Sequence, residues 1–526
     1  MRFFIFIILL STDIYSANTN ISRNDFWLTL KDGTKLECTS FIPDSELPDK
    51  RFPCIVYCHG FGQSKEDIIP SAESYAYNGY YTFTYSMRGQ GFSSGQSNLI
   101  SKIEMNDLFE VIDYLKSQEK IDKDKIAISG ASQGGIIPFM ACCNGLDVNC
   151  IIADLTSPEF ASNWIDNGCI KMSLLWTLSY NEITVRYNNN VKKFRDWILS
   201  DKKDKWDSIS RYLPEGRDFI NKVSNNEVPS FFSNSWEDIF FSSNGIIKSS
   251  ENFRNDFKIY LGAIPGHGSE YFSSEDNFHN QGIINWINYH LKDIDSQYDL
   301  TRYIFAYSTA PVINTSWIYY QYKTDISPFV NYTPLTLYFL RQGKLSENPN
   351  NNTVDSVIFE NVITDTSLTI KEAVNLEFNT ESFFRRFFKK EIYFDSELLD
   401  YNYNMLGIPK LHLVYSSNAK VCQFNFQIWE VCNDGITKFV SSINYTDRNN
   451  VPNSLVEKDI EGNAEGHIFS KGNKIRIILT NLDTRYGDFY LRSNPYVLPI
   501  LKNARNLVYT GLSNSTYIRI PLKESD

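Results

Sequence analysis

"KIAISGASQGGIIPFM", Lys125 to Met140, runs an apolar stretch straight into Gly130-Ala131-Ser132-Gln133-Gly134 and leaves it through a second apolar stretch. A strand that turns into a helix through five residues bends so tightly that a Cβ two positions before or after the serine would strike neighbouring backbone. Glycine at both positions removes the clash. The bend lifts Ser132 Oγ above a sheet and leaves the Gln133 N–H beside it, a nucleophile next to an oxyanion donor. The other reading is a serine among glycines in an ordinary tight turn.

The surroundings decide between the two. Upstream, "FWLTLKDGTKLECTSFIP" alternates and turns at Asp32-Gly33, a hairpin signal. "PCIVYCHG" (53–60), "YYTFTYSMRG" (80–89), "KIAISG" and "VNCIIADL" read as strands. Helical spacing separates them over Lys65–Tyr77, over "KIEMNDLFEVIDYLKSQ" and after Ser132. Apolar strands alternating with helices imply a parallel sheet covered on both faces, an α/β fold. Between about 156 and 228 the pattern gives way to a helical stretch with Trp164, Trp176, Trp197 and Trp206, then resumes with "VPSFFSNSW", "FKIYLGAIPG" and a helix near 275–293. From about 300 the texture turns to short β-rich runs such as "TPLTLYFLRQG" and "NKIRIILTNL", which predicts a β-sandwich. The expected organisation is a core over 18–155 and 229–297, a helical cap inserted at 156–228 above the active face, and an all-β domain over 298–526.

The first residues, "MRFFIFIILLSTDIYSANTN", have a basic start, an apolar run and small residues near Ser16 and Ala17, the grammar of a signal peptide over 1–17. The apolar run of about ten residues is half of the roughly 20 that a bilayer demands. Export to the periplasm or outside the cell is the expectation, with no membrane helix in the mature chain. The 526 residues carry a net charge of −11, which argues against nucleic acid as a partner. Nine cysteines form no evident disulfide framework. Cys422 and Cys432 bracket one extended run and would stand roughly 33 Å apart, far beyond bridging distance. Neither a metal-ligand cluster nor a nucleotide-binding glycine motif is present, so the chemistry calls for no cofactor and no metal.

A serine nucleophile needs a base, and there are six histidines. His267, in "IPGHGSE" after a predicted strand and downstream of Ser132, fits that role. The orienting acid belongs between them in sequence. Asp238, in "VPSFFSNSWEDIFF", is the first choice, with Glu237 and Asp154 as rivals. The oxyanion hole takes the backbone N–H of Gln133 and a second from the loop "CHGFG", that of Phe61. His59 in that loop is expected to pack rather than act as base, and Arg88 in "YSMRGQGFSSG" to brace loops.

These motifs resemble the family of cocaine esterase, α-amino-acid ester hydrolases, glutaryl-cephalosporin acylases and X-prolyl dipeptidyl peptidases. "ASNWIDNGCIKMSLLW" is similar to the start of that family's helical cap and "SNSWEDIF" to its acid loop. "LTLYFLRQGKLSENP", "GIPKLHLVYSSNAKVCQFNFQIWEVCNDG" and "NPYVLP" look like its jelly-roll domain. The resemblance implies an α/β-hydrolase sheet with an inserted helical cap, followed by an all-β jelly-roll (galactose-binding-like) sandwich. It also implies a serine hydrolase that cleaves an ester or amide bond of a small acyl substrate or short peptide. Two positions depart from the family pattern: Phe61 stands where members have a tyrosine hydroxyl, and Ser235 where they have a glycine before the acid-loop tryptophan. Two further readings stay open. An X-prolyl dipeptidyl peptidase would need a cap carboxylate such as Asp166 or Glu182 for the substrate ammonium, and an inert surface binding protein would use only the sandwich.

Overall fold

The computed structural model describes residues 20–524 apart from 181–182, 201–202, 266, 268–272, 295–300, 310–317, 323–326, 331–332, 350–354, 365–366, 368, 373–386 and 485–495. The leader-like residues 1–17 and Glu182 therefore lie outside the described residues.

β1 (Ile21–Thr29) and β2 (Lys35–Pro43) form the hairpin expected at Asp32-Gly33, in register from Ile21↔Pro43 to Thr29↔Lys35. β3 (Phe52–Cys58), α1 (Ile69–Tyr77), β4 (Tyr81–Tyr85), α2 (Lys102–Lys116), β5 (Ile121–Ala131), α3 (Gln133–Cys142) and β6 (Cys150–Asp154) follow in strict alternation. α2 starts where Ser101 and Glu104 satisfy each other's backbone N–H groups, a capping box. The sheet reads β1-β2-β4-β3-β5-β6 from its edge, antiparallel at its first two pairings and parallel from β4 onward.

Strand alternation divides the core in two. Cys54, Val56 and Cys58 pack with Leu108, Val111 and Ile136 of α2 and α3 on one face. Ile55 and Tyr57 pack on the other with Ala72 and Ala76 of α1. Period-2 alternation sends successive side chains to opposite faces, so a strand covered on both sides must be apolar throughout.

The chain then leaves the sheet for α4 (Phe160–Trp164), a short hairpin of β7 (Ile165–Asp166) and β8 (Cys169–Ile170), α5 (Met172–Tyr180), α6 (Asn189–Leu199) and α7 (Trp206–Tyr212). α6 buries Val191, Phe194 and Ile198, one stripe at helical spacing. The sheet resumes with β9 (Ser230–Glu237), α8 (Asn244–Ser250), β10 (Phe257–Pro265) and α9 (Ser273–Lys292). β9 lies parallel between β6 and β10. Trp286 and Ile287 of α9 join the face covered by α1.

One expectation needs correction. The sheet does not stop at β10: β11 (Tyr303–Thr309) pairs parallel with it, Ile259↔Tyr303 to Leu261↔Phe305, and β12 (Ile318–Tyr322) adds an antiparallel edge. The far end of β11 also pairs with Glu465–Phe469, Ser308↔His467. Its run "YIFAYST" is equally apt for either sheet, and only tertiary pairing shows that it serves both.

From Pro334 onward, among the described residues, the elements longer than three residues are strands, paired antiparallel with one another, as in Cys422–Val431 with both Thr437–Asp447 and Lys474–Thr480. They enclose a second core of Phe339, Phe394, Phe424, Phe426, Ile477 and their neighbours. All nine cysteines are free and eight are buried, and Cys422 opens a single extended strand that ends just before Cys432.

Candidate active site

β5 ends at Ala131, and Ser132 follows with φ 57° and ψ −124°, a left-handed conformation that costs a non-glycine residue of order 1–3 kcal/mol. The turn is held from both sides. Ser132 N–H donates to Asp154 O at 3.0 Å, while Ser132 O accepts from Gly135 and Ile136 N–H at 2.9 and 2.8 Å. A Cβ on Gly130 would sit 2.6 Å from Gly134 O, and one on Gly134 2.7 Å from the Cys58 carbonyl carbon. Both glycines of the motif are thus required by backbone that approaches too closely for a side chain.

Asp238 follows β9 and His267 follows β10, strands paired Glu237↔Pro265 at their ends. His267 Nδ1 lies 2.7 Å from Asp238 Oδ2. The Asp238 side chain is fully buried, and its other oxygen accepts the Phe240 and Phe241 N–H groups at 2.6 and 3.0 Å. The His267 side chain keeps 18% of its exposure, with its ring 4.8 Å from the Phe240 ring and 5.5 Å from that of Phe241. Phe240 in turn meets Trp176 of α5, and Phe241 meets Phe160 and Trp164 of α4. The inserted helices therefore pack onto the loop that carries the acid.

The rival acids are engaged elsewhere. Glu237 is ion-paired at 2.9 Å with Lys438 of the β-rich half, both side chains buried. Asp154 Oδ1 lies 3.1 Å from Nε2 of His279 on α9. An acidic partner alone does not single out a histidine in this chain, because His290, His412 and His467 also face carboxylates. His267 is distinguished by its place past a strand end beside the elbow's edge of the sheet.

The loop after β3 is rigidly held. Burial keeps His59 neutral, its pKa pushed down to about 4, and the ring bridges Gly60 O at 2.7 Å and the Met87 N–H at 2.8 Å. It packs the loop, as expected. Gly62 N–H donates to Gln90 Oε1 at 2.7 Å, and Gln90 Nε2 donates to Gln133 Oε1 at 3.0 Å. Gln90 thus ties the "CHGFG" loop to the elbow, a link the sequence reading missed; its only signal was its place in "RGQG". The Phe61 ring stacks on Tyr187 with centroids 6.1 Å apart. Gln133 is the first residue of α3, where the helix leaves its N–H without an intrahelical acceptor. Arg88 braces loops through Asp107 and Asp32. Burial raises Asp107 to about 7 against the pull of Arg88. Among the described residues no group of three or more His, Cys, Asp or Glu could hold a metal, and no helix is long and apolar enough to cross a membrane.

Residues 32–264 match the family model described as X-Pro dipeptidyl-peptidase (S15 family). A curated relative, an uncharacterized 31.7 kDa protein of the traX-finO intergenic region of Escherichia coli, is 31% identical over 116 residues, 22% of this chain. The alignment spans 40% of that relative's own length. In solved structures, a CocE/NonD family hydrolase from Staphylococcus aureus superposes with a TM-score of 0.71 at 14% identity, covering 98% of this chain and 99% of the other. An α-amino acid ester hydrolase superposes with a TM-score of 0.69 at 13% identity, covering 98% and 99%. The α/β-hydrolase type of fold thus extends over the whole chain. Residues 32–264 carry the match to the S15 family model, within a chain whose fold is shared over 98% of its length with both solved structures.

Proposed function

We propose that the protein hydrolyses an ester or amide bond of a small acyl substrate through an acyl-enzyme on Ser132. The observation that carries this reading is the 2.7 Å His267–Asp238 contact at the ends of β10 and β9, on the sheet edge where the strained elbow presents Ser132. Asp238, fixed by two backbone N–H groups, accepts the Nδ1–H of His267 and so keeps Nε2 free as the base. His267 takes the Ser132 proton as Oγ adds to the carbonyl carbon, then delivers it to the departing alcohol or amine. Water repeats the sequence in reverse and releases the acid. The developing oxyanion is met by the N–H groups of Gln133, at the positive end of α3, and Phe61. With phenylalanine at 61 the second donor is backbone, not a side-chain hydroxyl.

The organisation that goes with this reading is a hydrolase core over 18–155 and 229–297 extended by β11, a cap over 156–228, and a jelly-roll sandwich in the remainder. It also includes an exported chain, which rests on the leader grammar of 1–17. The family description favours a second reading, release of X-Pro dipeptides. Asp166 argues against it as an ammonium site: burial raises its pKa to about 6, and the charge it faces first is Lys171.

A fluorophosphonate probe tests the chemistry. Labelling that disappears in Ser132→Ala supports the reading; no labelling of the folded protein, or labelling that survives the substitution, overturns it. Turnover of p-nitrophenyl esters against Gly-Pro-p-nitroanilide separates the two substrates.

A further inference from the structure

A cavity of about 320 Å³ lies where α6 and α7 meet the β-rich half, within the size range of small-molecule sites. None of Ser132, Asp238 or His267 lines it. Its wall is apolar and aromatic, with Trp197 and Trp206 from the helices and Leu498 opposite. Three cations, Lys420, Arg448 and Lys502, share the lining with no carboxylate among the described residues. Arg448 is fixed in place: its Nε donates to Gly168 O at 2.7 Å, and its guanidinium sits 3.7 Å from the centre of the Trp206 ring. Lys420 and Lys502 are exposed at the mouth. Asn450 borders the cavity, 5% exposed and held by its Nδ2, which donates to Ala419 O at 2.6 Å.

We infer that this cavity is a second small-molecule site, separate from the catalytic one, for an organic anion with an apolar body and a carboxylate or sulfonate. The aromatic wall takes the apolar body, and Arg448 with the two lysines takes the anionic group. No positive or neutral ligand of the same shape satisfies both.

The probe is 8-anilinonaphthalene-1-sulfonate, whose aromatic rings and sulfonate stand in for the apolar body and the anionic group. The expected result is one probe per chain, with energy transfer from tryptophan, and binding at least about tenfold tighter than neutral 1-anilinonaphthalene, a modest demand on a close charge pair. The Lys420→Glu, Lys502→Glu double variant and the cavity-filling Ile209→Trp should each weaken it about tenfold with an unchanged Tm. Retention of affinity in both variants, non-saturating binding, or loss of binding after fluorophosphonate modification of Ser132 would each overturn the proposal. Binding is read without turnover, so its outcome is independent of the esterase reading.

Discussion

Two sets of serine, histidine and carboxylate can be drawn among the described residues, one beyond the ends of β5, β9 and β10 and one that starts on β11 itself. In one, His267 meets Asp238 at 2.7 Å beyond the strand ends, near the Ser132 elbow. In the other, Ser308 Oγ lies 2.7 Å from His467 Nδ1, and His467 Nε2 lies 2.7 Å from Glu430 Oε2. By distance the second is the more complete set. Yet His467 and Glu430 are entirely buried, and Glu430 is further occupied by Ser470 N–H and Asn473 Nδ2 at 2.7 and 2.6 Å. No left-handed turn presents Ser308, which sits within a regular strand. The difference teaches that three residue types in contact do not make a hydrolase. Access for a carbonyl and donors for its oxyanion separate a reactive set from a structural one.

The sharpest way to break that comparison is to remove each serine. Ser132→Ala should lower kcat for an activated ester by about 10⁴ or more, whereas Ser308→Ala should leave kcat within about twofold and cost about 1–2 kcal/mol of stability; steady-state kinetics with denaturant unfolding reads both. Next come the acids. Asp238→Asn should lower kcat by about 10³–10⁴ through the wrong imidazole tautomer. Glu430→Gln should instead cost about 3 kcal/mol by breaking a buried pair, with kcat preserved in the protein that remains folded.

Smaller effects refine the α/β half. Gln90→Ala should lower kcat about tenfold by freeing the "CHGFG" loop from the elbow, with KM less affected, if donor placement is its role. His59 gives a pH signature. Its folded pKa of about 4 lies below the ordinary 6.5, so the unfolded chain binds a proton that the folded chain refuses. The resulting stability is complete above about pH 6.5 and is lost as pH falls towards 4, at up to about 1.4 kcal/mol per pH unit. His59→Gln should remove that slope in pH-resolved unfolding, and an unchanged slope would show that other groups carry it.

The α/β part was legible in the sequence because its constraints are local. Gly130 and Gly134 form a five-residue pattern, although the backbone they make room for includes Cys58 at the end of β3, and β3, β6 and the Ile126–Ile128 part of β5 are almost wholly apolar on both faces. His267 and Asp238 were legible because strand ends collect loops at one edge. What was hidden is non-local. Ser308 and His467 come together only because β11 pairs with a strand more than 150 residues away. Gln90 bridges two loops through a side-chain amide, for which no spacing rule exists. α8 was not anticipated either: "NGIIKSS" is too short for helical periodicity to register.

The double engagement of β11 has a consequence for cooperativity. Its first half completes the parallel sheet against β10, and its end is stitched to Glu465–Phe469. A chain shortened to residue 297 would leave β10 as a bare edge of unpaired amides and carbonyls, a template for aggregation. The α/β and β-rich halves should therefore melt in one transition and exchange β11 amides only on global opening.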